Sequence, residues 1–161
     1  MQAATPDPAA VLDAILARLD DPILQQLGLY WRSKLHGRRL PARRAIDPHD
    51  IPALLPNVML WDVQRDPMGF RGRLVGTYIV EIAGRDATGQ SIETIDDAGA
   101  IEAEYRAVAE TGLPRHQERQ AHWPNREHRH YGRLLLPLAE DGSRVDMLLG
   151  CINAVAAERG R

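Results

Sequence analysis

The chain has 161 residues, of which 44% are hydrophobic and 26% are charged, and its formal net charge is −2. This length allows one domain with a real core but not two ordinary domains, and the composition is typical of a soluble globular protein. No apolar run approaches the length of a transmembrane helix, and the N-terminus lacks the basic segment of a signal peptide. The single cysteine, Cys151, cannot form an intrachain disulfide, so we expect a cytoplasmic protein.

Two helices are predicted at the N-terminus, each introduced by an Asp-Pro pair, at residues 7–8 and 21–22. Behind each pair the apolar residues recur at helical spacing, which predicts one buried face on each helix. That face could pack on the domain body or on a second copy of the chain. A homodimer interface is therefore predicted at Leu12, Leu16, Leu19, Leu27 and Trp31.

A proline-rich segment follows, with Pro41, Pro48, Pro52 and Pro56. That density excludes a long helix, and the lack of Gly and Ser favours an ordered connector over a flexible linker. The predicted organisation is N-terminal helices at residues 1–37, the connector at 38–57, a folded domain at 58–155 and a tail at 156–161.

Beyond Pro56 the pattern becomes that of β-strands separated by turn residues. The strands are predicted at residues 58–63, 70–77, 114–123, 131–138 and 144–155. Between the second and third strands, YIVEIAGRD predicts a short helix or an irregular turn. A clearer helix starts at Asp96 or Asp97 and stops at Gly112, with Tyr105 on its apolar face. Five antiparallel strands with helices inserted after the second, plus two N-terminal helices, make an α+β domain.

Three segments in this order carry a resemblance to a known family. They are LPARRAIDPHDIPALLPNVMLWDV, FRGRLVGTYIVEIAGRDATGQ and YGRLLLPLAEDGSRVDMLLG. Together they resemble a bacterial PAS-like family, formerly a domain of unknown function, over roughly residues 30–152. The resemblance implies a sensory or regulatory fold with helices walling a cavity. It implies no defined ligand and no activity, and it leaves any cofactor unknown.

Polar side chains near such a cavity are candidate ligand contacts. Alternation on the second strand places Arg71, Arg73, Val75 and Thr77 on one side, and an arginine facing inward would need a carboxylate or an anionic ligand. The predicted ligand-binding residues are Arg73, Tyr78, Tyr105, His116 and Arg133. The alternative is that Arg73 and Arg133 reach solvent or pair with Glu81, Asp86 or Glu118.

Other chemistry has little support in the sequence. His122, His128 and His130 could suggest a metal, but the turn residues between them place the cluster on a hairpin tip, and no motif completes a ligand set. The sequence also lacks nucleophile-elbow, P-loop and zinc-protease motifs, so no enzyme is predicted.

The function predicted first is a stand-alone sensory module that binds a small molecule in its cavity and signals through protein contacts. The first alternative is a ligand-free homodimeric interaction module. The second is binding of nucleic acid or an acidic partner by the basic run from Arg32 to Arg44, which holds six cations and no acid. The favoured interpretation is solvation of that run, or ion pairing with the acidic segment ETIDDAGAIEAEY, because aromatic residues are not interleaved with the run.

Overall fold

The computed structural model of the protein describes residues 6–95, 99–121 and 129–155. The α-helices are α1 (Pro8–Arg18), α2 (Pro22–Ser33), α3 (Thr77–Ala83) and α4 (Ala100–Thr111). The strands are β1 (Val58–Gln64), β2 (Gly69–Val75), β3 (Arg115–Ala121), β4 (Arg129–Leu138) and β5 (Met147–Ala154). Short 3-10 helices lie in the connector at Arg43–Ala45, Pro48–Asp50 and Leu55–Asn57, with another at Ile92–Thr94. No helix in these described ranges combines the length and apolar character needed to cross a membrane.

The five strands form one antiparallel sheet in the order β2-β1-β5-β4-β3. The α3–α4 segment connects β2 at one edge of the sheet to β3 at the other edge. This arrangement confirms the predicted α+β architecture with helices inserted after the second strand.

The two faces of the sheet are covered by different helices. On β4, a side chain at Gly132 would face Leu24 of α2, whereas Arg133 contacts Glu104 of α4. This is the period-2 alternation of a strand, and it places α1 and α2 on one face and α3 and α4 on the other. We refer to the face toward α3 and α4 as the inner face.

The N-terminal helices belong to the core of the chain itself. Asp21 caps α2, because its carboxylate accepts from the backbone N–H groups of Ile23 at 2.9 Å and Leu24 at 3.0 Å. Trp31 is fully buried, and its indole Nε1 donates to the carbonyl of Pro137 on β4 at 2.9 Å.

The predicted dimer interface is corrected by this packing. Four of the five residues are buried within the chain and the fifth packs against the same core, so their side chains do not form a free surface. These residues are Leu12, Leu19, Leu27 and Trp31, with Leu16 the partly buried one. The hydrophobic core runs without interruption across the predicted boundaries at residues 37 and 57.

The approach of the connector to α3 explains Gly76, which lies between β2 and α3. A Cβ there would lie 2.3 Å from the carbonyl oxygen of Pro56 and 2.4 Å from that of Leu55. Its backbone φ of −65° is open to any residue, so the close approach of two backbone oxygens is what requires glycine here.

Replacing Gly76 by alanine is expected to destabilise the fold by about 1–3 kcal/mol, the usual cost of overpacking. Urea denaturation would measure the free energy of unfolding. Gly69→Ala is the matched control, since a Cβ there meets only the flexible Gln64 side chain, at 3.7 Å. Equal stabilities of the two variants would contradict this account of the contact.

The long inserted helix is as predicted at its C-terminus. Gly112 ends α4 in the left-handed conformation, with φ of 69°, which glycine adopts without a Cβ penalty. The predicted cap at Asp96 or Asp97 lies outside the described residues.

Candidate functional site

A cavity of about 120 Å³ lies between the inner face of the sheet and helices α3 and α4. Its wall is mostly apolar, with two arginines, one tryptophan and one tyrosine. The lining residues are Met59, Trp61, Val75, Ile79, Ala83, Arg85, Ala87, Ile95, Ile101, Tyr105, Arg133 and Ile152. A mostly apolar wall with few polar groups is the usual composition of a small-molecule site.

Aromatic rings hold one side of this cavity. Trp61 of β1 meets Tyr105 of α4 edge-on with ring centroids 5.3 Å apart, and Phe70 meets the same tyrosine at 5.6 Å. Such geometry is favourable for aromatic pairs. The Tyr105 hydroxyl lies 3.7 Å from the sulfur of Met59, which fixes the ring against β1.

A buried ion cluster lies beside the cavity. Glu104 of α4 and Arg133 of β4 are 2% and 7% exposed, and Arg133 Nη1 lies 3.3 and 3.4 Å from the two carboxylate oxygens. Arg119 of β3 also donates to Glu104 and is partly exposed. One carboxylate thus joins α4 to two neighbouring strands.

Two buried N–H groups of cavity-lining residues have no hydrogen-bond partner among the residues that the structure describes. They are Trp61 Nε1 and Arg133 Nε. A buried donor without an acceptor costs about 1–3 kcal/mol, so such groups are rare in folded proteins.

Two of the five predicted ligand-binding residues line this cavity, namely Tyr105 and Arg133. The partner of Arg133 is Glu104, not one of the three acids considered from the sequence. Arg73 lies on the other side of the sheet and pairs with Asp62 at 3.1 Å, with 62% of its side chain exposed. Arg73 therefore does not line this cavity.

A β-bulge in β2 separates Arg73 from Val75, although alternation predicts that these two residues share a side. Gly72 pairs with Trp61 and Leu74 pairs with Leu60, so Arg73 has no residue opposite it. An extra residue reverses the alternation beyond it. Val75 therefore lines the cavity, whereas Arg73 does not.

His116 and Tyr78 also lie elsewhere. His116 lines a separate groove on the face toward α2, beside Asp21 and Asn153, and partial burial lowers the pKa of its imidazole. Tyr78 is a partly buried residue of α3 that packs against the core but does not line the cavity.

Sequence reasoning missed two residues of the site, and both left a signal. Trp61 lies on the first strand two residues from Met59, so the two share a face. Glu104 lies at helical spacing between Ile101 and Val108, on the face that the sequence marks as apolar. An acid within an apolar stripe predicts a buried partner.

The histidine cluster receives no support as a metal site. His122 and His128 lie outside the described residues, and His130 is exposed on β4. Among the residues that the structure describes, no group of three or more histidine, cysteine, aspartate or glutamate side chains could hold a metal ion.

The side chains of the basic run from Arg32 to Arg44 bind carboxylate and carbonyl oxygens of the same chain. Arg32 pairs with Asp13 at 3.1 Å, Lys34 pairs with Asp50 at 3.4 Å, and Arg44 pairs with Glu140. The other three arginines of the run donate to main-chain carbonyls. Arg38 donates to Ala139 and Glu140, Arg39 donates to Pro6, and Arg43 donates to Ile46. The run therefore anchors the connector. Its acidic partners in the described residues are Asp13, Asp50 and Glu140, and not the acidic segment predicted from the sequence.

Cys151 is fully buried on β5, on the side of the sheet opposite the cavity, and burial raises the pKa of its thiol far above the ordinary range. Because only the thiolate reacts readily, we expect no alkylation by N-ethylmaleimide in the native state at pH 7.5 and complete alkylation in urea. Intact-mass spectrometry measures the extent of alkylation under both conditions. Fast native labelling would show that the thiol is accessible.

Comparison with known proteins agrees with this architecture. A family model described as PAS domain matches residues 19–153. A search of the curated proteins gives no match. Among solved structures, the PAS domain of Bordetella pertussis BvgS is 18% identical, with a TM-score of 0.51, over 69% of this chain and 87% of that chain.

Two light-oxygen-voltage (LOV) structures are also similar. One, studied with a flavin analogue, is 14% identical with a TM-score of 0.51, over 67% of this chain and 83% of that chain. The LOV protein of Rhodobacter sphaeroides is 16% identical with a TM-score of 0.50, over 67% of each chain. At these identities the likeness shows the fold alone. Because the family match spans most of the sequence, from the end of α1 to the last strand, the chain belongs to the PAS domain family and has the fold of a sensory domain.

Proposed function

We propose that this PAS domain is a sensory module that binds a small molecule in the cavity beneath α3 and α4 and signals through protein contacts. The observation that carries the proposal is the cavity itself, which is mostly apolar and has Tyr105 and Arg133 in its wall. Its volume of about 120 Å³ exceeds the roughly 10–15 Å³ that one water needs. We propose a binding role and not a catalytic one.

The cavity's size favours a molecule smaller than a flavin. One similar structure concerns a LOV domain studied with a flavin analogue, so a flavin is a candidate by likeness of fold. Sites for drug-sized ligands usually measure about 300–1,000 Å³, well above the volume in this chain. No histidine or cysteine lines the cavity among the described residues.

A ligand would act on the helices that form the roof of the cavity. Ile79 and Ala83 of α3 and Ile101 and Tyr105 of α4 all line it. A ligand that fits one packing of these helices better than another shifts the population toward that packing. The surface that α3 and α4 show to a protein partner then depends on whether ligand is bound.

Native mass spectrometry of the purified protein, with a denaturing mass beside it, tests this proposal. We expect an added non-covalent mass that is lost on denaturation. Ala83→Leu should reduce the bound fraction because its larger side chain enters the cavity, whereas Arg73→Ala, outside the cavity, should not. Circular dichroism would verify that both variants fold.

Two results would contradict the proposal. Undiminished ligand in a folded Ala83→Leu variant would place the molecule elsewhere. No added mass in any preparation, together with no binding from a library of small metabolites, would remove the ligand and favour the interaction module. The same spectra report the oligomeric state, which that alternative predicts to be a dimer.

A further inference from the structure

The cavity wall contains two arginines, and their only acidic contact among the described residues, Glu104, lies beside the cavity rather than in its wall. Arg85 and Arg133 line it, and no aspartate or glutamate of the described residues does. Arg85 is exposed, and its Nη1 donates to the carbonyl of Thr94 at 3.0 Å. Arg133 is the buried cation, and its Nε is one of the two donors without a partner.

The ion cluster beside the cavity leaves one donor of Arg133 unpaired. Glu104 is the carboxylate that contacts Arg133, and the partly exposed Arg119 shares it. Arg133 Nε has no acceptor among the described residues. A buried cation is stable when it is fully paired and hydrogen-bonded, so Arg133 favours one further acceptor, and an anion suits its charge best.

The unpaired donors and the apolar wall restrict the chemistry of that anion. Arg133 and Trp61 both line the cavity, and Arg133 Nε and Trp61 Nε1 are their buried donors without a partner among the described residues. A hydrogen bond from Arg133 is charge-assisted, the kind that a carboxylate accepts best. Apolar side chains such as Ile79, Ile101 and Ile152 form most of the remaining wall. They match a hydrocarbon body and leave a highly polar ligand poorly solvated.

We propose that the ligand is a small organic monocarboxylate with a largely apolar body, held by Arg133 and Trp61. This inference rests on the proposed function and specifies its ligand class. Arg133 selects for negative charge, and Trp61 contributes a hydrogen bond. Glu104 keeps Arg133 extended toward the cavity.

Calorimetric titration at pH 7.5 with matched probes tests the ligand class. The probes are hexanoate and benzoate, each beside its neutral amide, hexanamide and benzamide. For the wild-type protein we expect the carboxylates to bind about ten-fold or more tightly than the amides, as for hydrogen bonds to charged groups. Trp61→Phe should weaken carboxylate binding several-fold, and Arg73→Ala should leave it unchanged.

Removing the charge of Arg133, alone or together with the charge of Glu104, tests the role of Arg133. Arg133→Gln alone leaves Glu104 buried beside a neutral amide, so the double variant Glu104→Gln with Arg133→Gln is used where the single one fails to fold. Either variant is expected to lose the preference for carboxylate over amide. A preference that survives in a folded variant would overturn the assignment to Arg133.

The outcomes separate this inference from the proposed function. Amides that bind as tightly as carboxylates, or a neutral molecule extracted from the purified protein, would overturn the ligand class and leave small-molecule binding intact. An extracted carboxylic acid would support the class even if both probes were the wrong shape. Absence of any bound mass or titratable ligand would overturn both.

Discussion

Replacing Glu104 by glutamine is expected to destabilise the protein by about 3 kcal/mol, because removal of one partner leaves a buried charge uncompensated. The variant keeps the size of the side chain and removes its charge. Arg133, with 8% of its side chain exposed, would then lie in the core without a carboxylate among the described residues. Urea denaturation followed by circular dichroism gives the free energy of unfolding.

A second glutamate on the same helix serves as the control. Glu110 lies 3.9 Å from Arg106 and has 55% of its side chain exposed. Such surface pairs contribute about 0–1 kcal/mol, so Glu110→Gln should unfold close to the wild-type midpoint. Equal effects of the two substitutions would show that Glu104 is not the buried counter-ion of Arg133.

Removing both charges distinguishes pairing from packing. If the loss in Glu104→Gln comes from the uncompensated cation, the double variant Glu104→Leu with Arg133→Met should be more stable than Glu104→Gln. A double variant that is less stable than the single one would indicate that packing of the Glu104 side chain was the larger contribution.

Trp31→Ala is expected to cost about 3–5 kcal/mol, the usual range for truncation of a buried tryptophan. The side chain is fully buried beneath β4, and truncation also removes the hydrogen bond to Pro137. The same urea titration measures the loss. Because the contacts lie within one chain, we expect the oligomeric state, measured by light scattering, to stay as in the wild type.

Leu29 is the matched control on the same helix, since it is 55% exposed. Leu29→Ala should change the free energy of unfolding by no more than about 0.5 kcal/mol. Unchanged stability of Trp31→Ala together with dissociation of a dimer would contradict the intrachain packing and restore the interface predicted from the sequence.

Periodicity and turn residues made most of the fold predictable. The strands of the sheet, the two Asp-Pro helix starts and the stop at Gly112 all follow from local rules, because each depends on neighbouring residues in the chain. The resemblance that named the family depended on motifs in the same segments. Local rules gave less for the site, where Tyr105 and Arg133 were identified and Trp61 and Glu104 were not.

Strand β2 shows where the pattern fails. Alternation places Arg73 and Val75 on one side, but the unpaired Arg73 reverses the alternation before Val75, and a bulge depends on the pairing with β1. The N-terminal helices show the same limit. Their apolar stripes require burial, yet an amphipathic pattern is equally satisfied by a sheet in the same chain or by another copy.

The sequence by itself determined the order of elements, the single-domain size and the apolar faces, since these depend on composition and on residues within a few positions of one another. Only the tertiary structure decided what covers each face and which charges meet. Glu104 and Arg133 are 29 residues apart, and they pair because α4 crosses the inner face of β4. A cavity wall built from β1, β2, β4, β5 and two helices is likewise a product of long-range packing, which no local pattern encodes.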